Sequence, residues 1–460
     1  MENGQNNSAR DLAVKALRDR GGNVSAHLSR VADEIGLSSA DRAFAHELAI
    51  GTLRRRATLD AILKSYLNMP GRKLNPPLQE IMQVALYQLL FLDRVPAFAA
   101  VNEAVRQAHA FRQKKQAGLI NGVLRNIIRE MSAPSEHALS PQPAANIIPI
   151  SPTKDRRMER NVFPEPERNR ALWLSAAYSL PAELAADWVG QFGWYEQVTA
   201  IAIHSCSRPP LIARVNSLKA KNADVLARLV AAGMDAKLHE NGLSIVLDSV
   251  EGMNSLAEFQ EGLLQPQDPT ATSVVAAAKI RPGMRVLDFC ASPGTKTTHI
   301  AERMENSGLI IAADVSGEKL KRIEENALRM GINIIKTIRA EDVGGLEPRS
   351  FDLVLADVPC SNSGVLARRV EARWRYSKAD ISKLVRDQQF LAQAAAQFVR
   401  PGGQLIYSTC SINPDENSRV VKFLAKNVSH LKLKFEKLTL PAGADDITRW
   451  HDGGYMAIFE

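Results

Sequence analysis

Two thiols occupy matching surroundings far apart in the chain. Cys360 lies in Asp357-Val-Pro-Cys-Ser-Asn-Ser-Gly364 and Cys410 in Tyr407-Ser-Thr-Cys-Ser-Ile-Asn-Pro-Asp-Glu-Asn417. A thiolate is a strong nucleophile and can carry a reaction through a covalent intermediate. A free cysteine is more often a small buried hydrophobe, and Cys206 reads that way. Cys360 and Cys410 read differently, because each follows a short apolar run and sits in polar, turn-like sequence. The turn Cys290-Ala291-Ser292-Pro293-Gly294-Thr295-Lys296 is a third candidate. Its small residues let backbone N–H groups approach a ligand at a helix N-terminus. It is neither the G-x-G-x-x-G of dinucleotide folds nor the G-x-x-x-x-G-K-[ST] of a phosphate loop. Asp314, 18 residues after Lys296, is placed either to accept hydrogen bonds from ribose hydroxyls or to cap the helix beginning near Gly317. Asp342 could reach a purine edge or serve as a turn residue before Gly344-Gly345. No His/Cys spacing resembles a zinc site, so no metal is expected.

These candidates need a scaffold that brings loop ends together, and the pattern supplies one. From about residue 266, short apolar runs alternate with helical stretches. Arg285–Phe289, Leu309–Ala313, Phe351–Ala356 and Gln404–Ser408 read as strands, and Gly317–Met330 and Ile381–Phe398 as helices. Such alternation implies a parallel sheet covered on both faces, with ligands at the carboxyl ends of its strands. Asp288, Asp314 and Asp357 stand at or just after three of those ends.

Residues 8–130 read as helical throughout. Glu80–Leu92 places Ile81, Val84, Ala85, Leu89 and Leu92 at helical spacing, after Pro76-Pro77 and before Val95-Pro96. Residues 131–168 contain seven of the 23 prolines among Ser, Asn and charges, a composition that predicts a flexible linker. Residues 169–265 return to globular patterning, with helices around Pro181–Ala202 and strands at Pro210–Val215 and Leu243–Leu247. The expected domains are therefore 1–130, a linker over 131–168, a small subdomain over 169–265, and 266–460.

The net charge of +8 is concentrated at one end. Residues 1–130 hold 19 Lys/Arg against 12 Asp/Glu, whereas 171–460 hold 33 of each. A basic segment on a neutral body suits a polyanion-docking module, although it is equally consistent with a solubility device. No apolar run approaches a membrane span, Met1–Asp11 lacks an apolar leader, and four cysteines are too few for a disulfide scaffold. A cytoplasmic chain with reduced thiols and no membrane partner is expected.

The combination Asp288-Phe-Cys-Ala-Ser-Pro-Gly-Thr-Lys-Thr297, Asp357-Val-Pro-Cys-Ser361 and Ser408-Thr-Cys-Ser411, with Asn417, resembles the RNA 5-methylcytosine methyltransferases. Within them the match is to the small-subunit ribosomal RNA methyltransferase B type, also called Sun or Fmu. Arg214-Val-Asn216 and Gln267-Asp268 sit where that type has its pre-catalytic motifs. Asp41-Arg-Ala-Phe-Ala-His-Glu-Leu48, Gly51-Thr-Leu-Arg-Arg-Arg56, Val101-Asn-Glu-Ala-Val105 and Asn121-Gly-Val-Leu-Arg-Asn126 resemble a NusB-like RNA-binding domain. Ser292, Thr295, Val358 and Asn362 replace the family's usual Ala, Gly, Ala and Gly. Thr295 is the departure to watch, because a β-branched residue disfavours positive φ.

The resemblance implies three folded parts: an all-α NusB-like domain, a small α+β middle subdomain, and an α/β Rossmann-like S-adenosylmethionine-dependent methyltransferase domain. It implies Cys410 as nucleophile toward carbon-6 of cytosine, Asp357 on N3 and the exocyclic amine, and Cys360 in loss of the carbon-5 proton and enzyme release. S-adenosylmethionine would contact Cys290–Lys296, Asp314, Asp342 and Asp357. The implied partner is small-subunit ribosomal RNA before full ribosome assembly, met by a monomer. Transfer RNA as substrate, and a non-catalytic RNA-binding factor, remain alternatives at this level.

Overall fold

From Glu80 to Leu90 every residue of helix Leu78–Phe91 is buried, so this helix forms the centre around which the N-terminal unit is built. The computed structural model describes residues 8–19, 24–67, 74–137, 142–248 and 253–460. Residues 1–7, on which the reading of the N-terminus partly rests, lie outside them. The chain divides into two units: Met1–Ser207 with Arg369–Arg375, and Arg208–Arg368 with Tyr376–Glu460.

In the first unit, helices Ala9–Arg18, Val24–Glu34, Ser39–Arg54, Arg56–Leu67, Ala97–Ala110 and Ala117–Glu130 accompany the central helix. Amphipathic spacing explains them: Ala117–Glu130 buries Ile120, Val123, Leu124 and Ile127 and leaves Arg125 and Arg129 exposed. The proline-rich stretch is not the flexible linker that its composition predicted. Ile147–Ser151 and Lys154–Arg157 form an antiparallel pair joined by Ser135–Glu136, and Ile148, Met158, Val162 and Phe163 are buried. Arg55 donates to the carbonyls of Pro149 and Ile150 at 2.9 and 2.8 Å. Scattered apolar residues outweigh the proline count here, because each buried one contributes about 1.5–3 kcal/mol. Residues 138–141 of that stretch are outside the described set. Helices Arg170–Ala177, Ala182–Phe192 and Glu196–Cys206 complete this unit. The expected 169–265 subdomain is thus split near Ser207.

The second unit holds two sheets. One is antiparallel, in the order Ala236–Leu238, Ser244–Leu247, Leu211–Val215, Leu264–Pro266. The other has seven strands: β1 (Arg285–Asp288), β2 (Leu309–Asp314), β3 (Ile335–Arg339), β4 (Phe351–Asp357), β5 (Val399–Thr409), β6 (Leu433–Thr439) and β7 (Gly454–Phe459). Their order is β3-β2-β1-β4-β5-β7-β6. The first five are parallel, and β7 runs antiparallel to both β5 and β6. Helices cover both faces, which is why Leu353, Val354, Leu355 and Ala356 are all buried instead of alternating. The exposed edge strand β6 gave no alternating signal and went unread in the sequence. No described helix is long and apolar enough to cross a membrane.

Candidate active site

Strands β4 and β5 end side by side, with Asp357 in register with Ser408. Ser408 Oγ donates to Asp357 Oδ1 at 2.6 Å, and Lys296 Nζ donates to Oδ2 at 2.6 Å. Lys296 is the second residue of helix Thr295–Arg303. Burial opposes its charge, but Asp357 outweighs that and raises its pKa. Both oxygens of Asp357 are therefore fixed by groups from two other elements.

Past these strand ends the chain places the two cysteines together, with Cys360 Sγ 2.8 Å from Cys410 Sγ. Asn362 lies between their loops. Its Nδ2 donates to the Cys360 carbonyl at 3.0 Å, and its Oδ1 accepts from Cys410 Sγ at 3.3 Å. Its φ of 61° explains the family's glycine there, and asparagine is among the residues that best tolerate that region. The hydrogen bond to Cys410 pushes the Cys360 thiol well above its ordinary pKa, and burial adds to it. Asn417 braces the other loop: its Oδ1 accepts from Thr409 Oγ1 at 2.7 Å, and its Nδ2 donates to the Ser411 carbonyl at 2.9 Å. A cavity of about 50 Å³ opens beside this group, lined by Lys296, Asp357, Ser408, Thr409 and Cys410 and by Asp268, Thr270 and Asp452.

The Cys290–Lys296 turn connects β1 to the helix Thr295–Arg303. Gly294 has φ 90°, and a Cβ there would meet Ile323 at 3.2 Å, so glycine is needed for conformation and space. Thr295 begins the helix and avoids positive φ, which removes the strain anticipated for it. The Ala291 N–H bonds to the Ala313 carbonyl, and the Ser292 N–H to Asp314 Oδ2 at 3.2 Å. Asp314 Oδ1 is buried, with only the Lys319 ammonium nearby, 3.4 Å away. Asp288 accepts from Thr297 Oγ1 through Oδ2, while its Oδ1 is buried and unpartnered. Burial lifts the Asp288 carboxyl to about 7. Cys290 is pushed up as well, chiefly by burial. Asp342 lies apart from these groups, exposed in the turn Ala340–Gly345 after β3.

The spacing argument missed several residues. Glu416, fully buried, accepts from Ser361 N, Ser361 Oγ, Ser411 Oγ and Gln388 Nε2 at 2.5–3.0 Å. Inside Asn413-Pro-Asp-Glu-Asn417 it reads as one polar turn residue among several. Lys296 was read as part of the turn only, and its contact with Asp357 depends on helix register. Arg368 Nε donates to Asp452 Oδ2 at 2.8 Å, while the Asp452 N–H reaches Asp268 Oδ2 at 3.1 Å. Burial raises the Asp452 carboxyl to about 7. Arg214 pairs with the buried Glu302 and donates to Gln267 Oε1 at 2.6 Å, a supporting role away from the thiols.

A Rossmann-like sheet with a small-residue turn after β1 and an acid closing β2 defines the methyltransferase class. Three family models match successive stretches: the NusB family over 7–129, a ferredoxin-like domain of RsmF/B-like methyltransferases over 180–250, and 16S rRNA methyltransferase RsmB/F over 275–448. The chain is 31% identical to the probable ribosomal RNA small subunit methyltransferase B of Bacillus subtilis, over 90% of this chain and 87% of that one. It is 33% identical to the protein of the same description in Synechocystis, over 95% and 93%. The chain belongs to the RsmB/F family of ribosomal RNA methyltransferases. Among solved structures, that of PH0851 superposes with a TM-score of 0.74 at 22% identity, covering 98% of both chains. A methyltransferase homologue from Pyrococcus horikoshii gives 0.53 at 25%, covering 63% of this chain and 98% of its own.

Proposed function

We propose that the protein methylates carbon-5 of a cytosine in small-subunit ribosomal RNA, with Cys410 bonded transiently to carbon-6 of the ring. The observation that carries this reading is the convergence at the ends of β4 and β5. Two thiol sulfurs stand 2.8 Å apart beside a carboxylate pinned by an ammonium and a hydroxyl. S-adenosylmethionine, when bound, supplies an electrophilic methyl group. The turn after β1 and the orphaned buried oxygens of Asp288 and Asp314 fit such a donor, since each can still accept a hydrogen bond. Ser292 and Gly294 shape the turn, Asp314 would take the ribose, and Asp342 would flank the base of the donor from its exposed turn.

The chain's own residues then have separate tasks. The Cys410 sulfur gives an electron pair to carbon-6, and the ring double bond shifts so that carbon-5 becomes nucleophilic. Asp357 holds the exocyclic amine and N3, and the Lys296 ammonium on its Oδ2 steadies the negative charge on the ring. After methylation, carbon-5 loses its proton and the sulfur–carbon bond breaks. Cys360, protonated and touching Cys410, assists that release. The target must leave its stack to enter, which suits a loop met before assembly is complete. The basic first 130 residues supply the phosphate contacts, and a monomer suffices.

The test separates the two thiols. With substrate RNA and S-adenosylmethionine, Cys410→Ala is expected to abolish methylation and form no adduct. Cys360→Ala is expected to accumulate a protein–RNA complex that survives detergent electrophoresis. If both variants remain active and neither is trapped, the covalent mechanism is wrong.

A further inference from the structure

Glu416 is the most thoroughly bonded carboxylate beside the thiols, and the methyl-transfer scheme leaves it without a task. It is fully buried. Its Oε1 accepts from the Ser361 N–H at 2.8 Å and from Gln388 Nε2 at 3.0 Å. Its Oε2 accepts from the hydroxyls of Ser361 and Ser411, both at 2.5 Å. Ser361 follows Cys360 and Ser411 follows Cys410, so one carboxylate clasps both thiol loops one residue past each sulfur. Gln388 also donates to the Pro359 carbonyl at 2.9 Å, which anchors the Cys360 side from helix Lys378–Ala396. The Tyr407 hydroxyl bonds to Glu416's own carbonyl at 2.5 Å.

We infer that Glu416 is a positioning residue that decides which of the two touching thiols keeps the pair's proton, and so which one acts as nucleophile. Two sulfurs 2.8 Å apart share one hydrogen bond, and only one of them can donate it. Two chemically equal thiols need an external asymmetry to choose. The charged and titratable groups around them provide it. Glu416 and the Tyr407 phenol act on Cys360, while the Lys296 ammonium, paired to Asp357, lies near enough to Cys410 for their charges to interact. A fixed negative charge at Cys360 makes a second negative charge there costly, and a buried site screens it little. Cys360 therefore donates to Cys410, in keeping with the raised pKa of its thiol. Four hydrogen bonds to Glu416 favour its ionised form, so the bias is built into the fold and needs no ligand.

This inference rests on the assignment of Cys410 as nucleophile, but its test needs no RNA. Full-length protein is treated with iodoacetamide across pH 6–10, and peptide mass spectrometry reads the alkylation of Cys360 and Cys410 separately. In the unaltered protein Cys410 is expected to react at least about tenfold faster at neutral pH, since thiolate fraction sets the rate. Glu416→Gln keeps the shape and removes the charge. It should move the Cys360 reactivity midpoint down by at least about one pH unit, a tenfold gain in rate at neutral pH. Glu416→Asp should restore the original order. Ser361→Ala, which removes one bond but no charge, should leave the midpoint in place. The inference is overturned if Glu416→Gln and Ser361→Ala shift Cys360 equally, or if neither shifts it. Should Glu416→Gln fail to fold, Cys410→Ser decides the matter: the Cys360 midpoint must stay above the ordinary thiol value, and a return to that value refutes the role of Glu416. RNA trapping by Cys360→Ala reports on the covalent mechanism separately, so the two ideas can fail independently.

Discussion

The loop that carries Cys410 rests on glycines, which makes Gly364→Ala a direct probe of how finely the sulfur is placed. A Cβ on Gly364 would stand 2.5 Å from the Gly453 carbonyl oxygen, 2.6 Å from its carbon and 2.9 Å from the Cys410 carbonyl oxygen. Every one of these atoms is backbone, so no side chain can swing aside. Ordinary contact lies near 3.5 Å, and relief therefore demands a shift of about 1 Å. Two hydrogen bonds would strain with it: Gly364 N–H to the Cys410 carbonyl at 3.0 Å, and Gly453 N–H to the Gly364 carbonyl at 2.8 Å. Overpacking costs about 1–3 kcal/mol and the weakened bonds about 1 kcal/mol more. At about 2–4 °C per kcal/mol for a unit of this size, the melting temperature should fall by roughly 5–15 °C. The surviving folded protein should lose about a hundredfold in methyl transfer, because the nucleophile is displaced by about 1 Å. Gly344→Ala is the matched control: nothing lies within 4 Å of its Cβ, and it should melt with the unaltered protein. A Gly364→Ala variant that melts and methylates normally would refute this account of the loop.

Other consequences follow from the charges. The folded Asp288 carboxyl keeps its proton to about 7 whereas an unfolded aspartate releases it near 3.9. The folded state thus binds more protons between these values, so stability should fall as pH rises from about 4 to 7, and Asp288→Asn should flatten that slope in urea titrations. Asp314→Ala should weaken S-adenosylmethionine binding by about 1.5–3 kcal/mol, and unchanged calorimetric affinity would remove Asp314 from the donor site. Replacing the exposed Lys114 and Arg125 by glutamate should lower the salt dependence of RNA binding by about two counterions, read as the slope of log affinity against log salt. An unaltered slope would place the RNA elsewhere.

The sequence showed most clearly what depends on neighbours in the chain. The parallel strands came from apolar runs, and their aspartate ends from position alone; Gly317–Met330 matches the structure at both ends. Asp357, Cys360 and Cys410 could be singled out because strand ends in such a sheet converge, and the structure does put them in one cluster. What stayed hidden depends on packing between distant segments. Glu416 reaches Ser361 across 55 residues, and no spacing rule connects them. Lys296 finds Asp357 across 61 residues through the register of its helix. The stretch 131–168 misled because composition counts prolines without showing that Ile148 and Phe163 would be buried. Asp342 went the other way: its place after a strand was legible, yet the structure leaves it exposed in a turn.

The brief return of Arg369–Arg375 to the first unit has a consequence for biosynthesis. Arg373 is completely buried there. Its guanidinium donates to the carbonyls of Arg54 and Ser179 at 3.1 Å and of Ser205 at 2.6 Å. Those three carbonyls are made early, but this shared partner is translated more than 160 residues after the last of them. A nascent chain emerging from its N-terminus can assemble the helices of the first unit, but it cannot satisfy this junction until residue 373 is outside the ribosome. At roughly 5–20 residues per second the interval lasts on the order of ten seconds or more. The N-terminal unit is therefore completed late, by a piece of chain from beyond β4, and its last closing step is timed by synthesis of the catalytic unit.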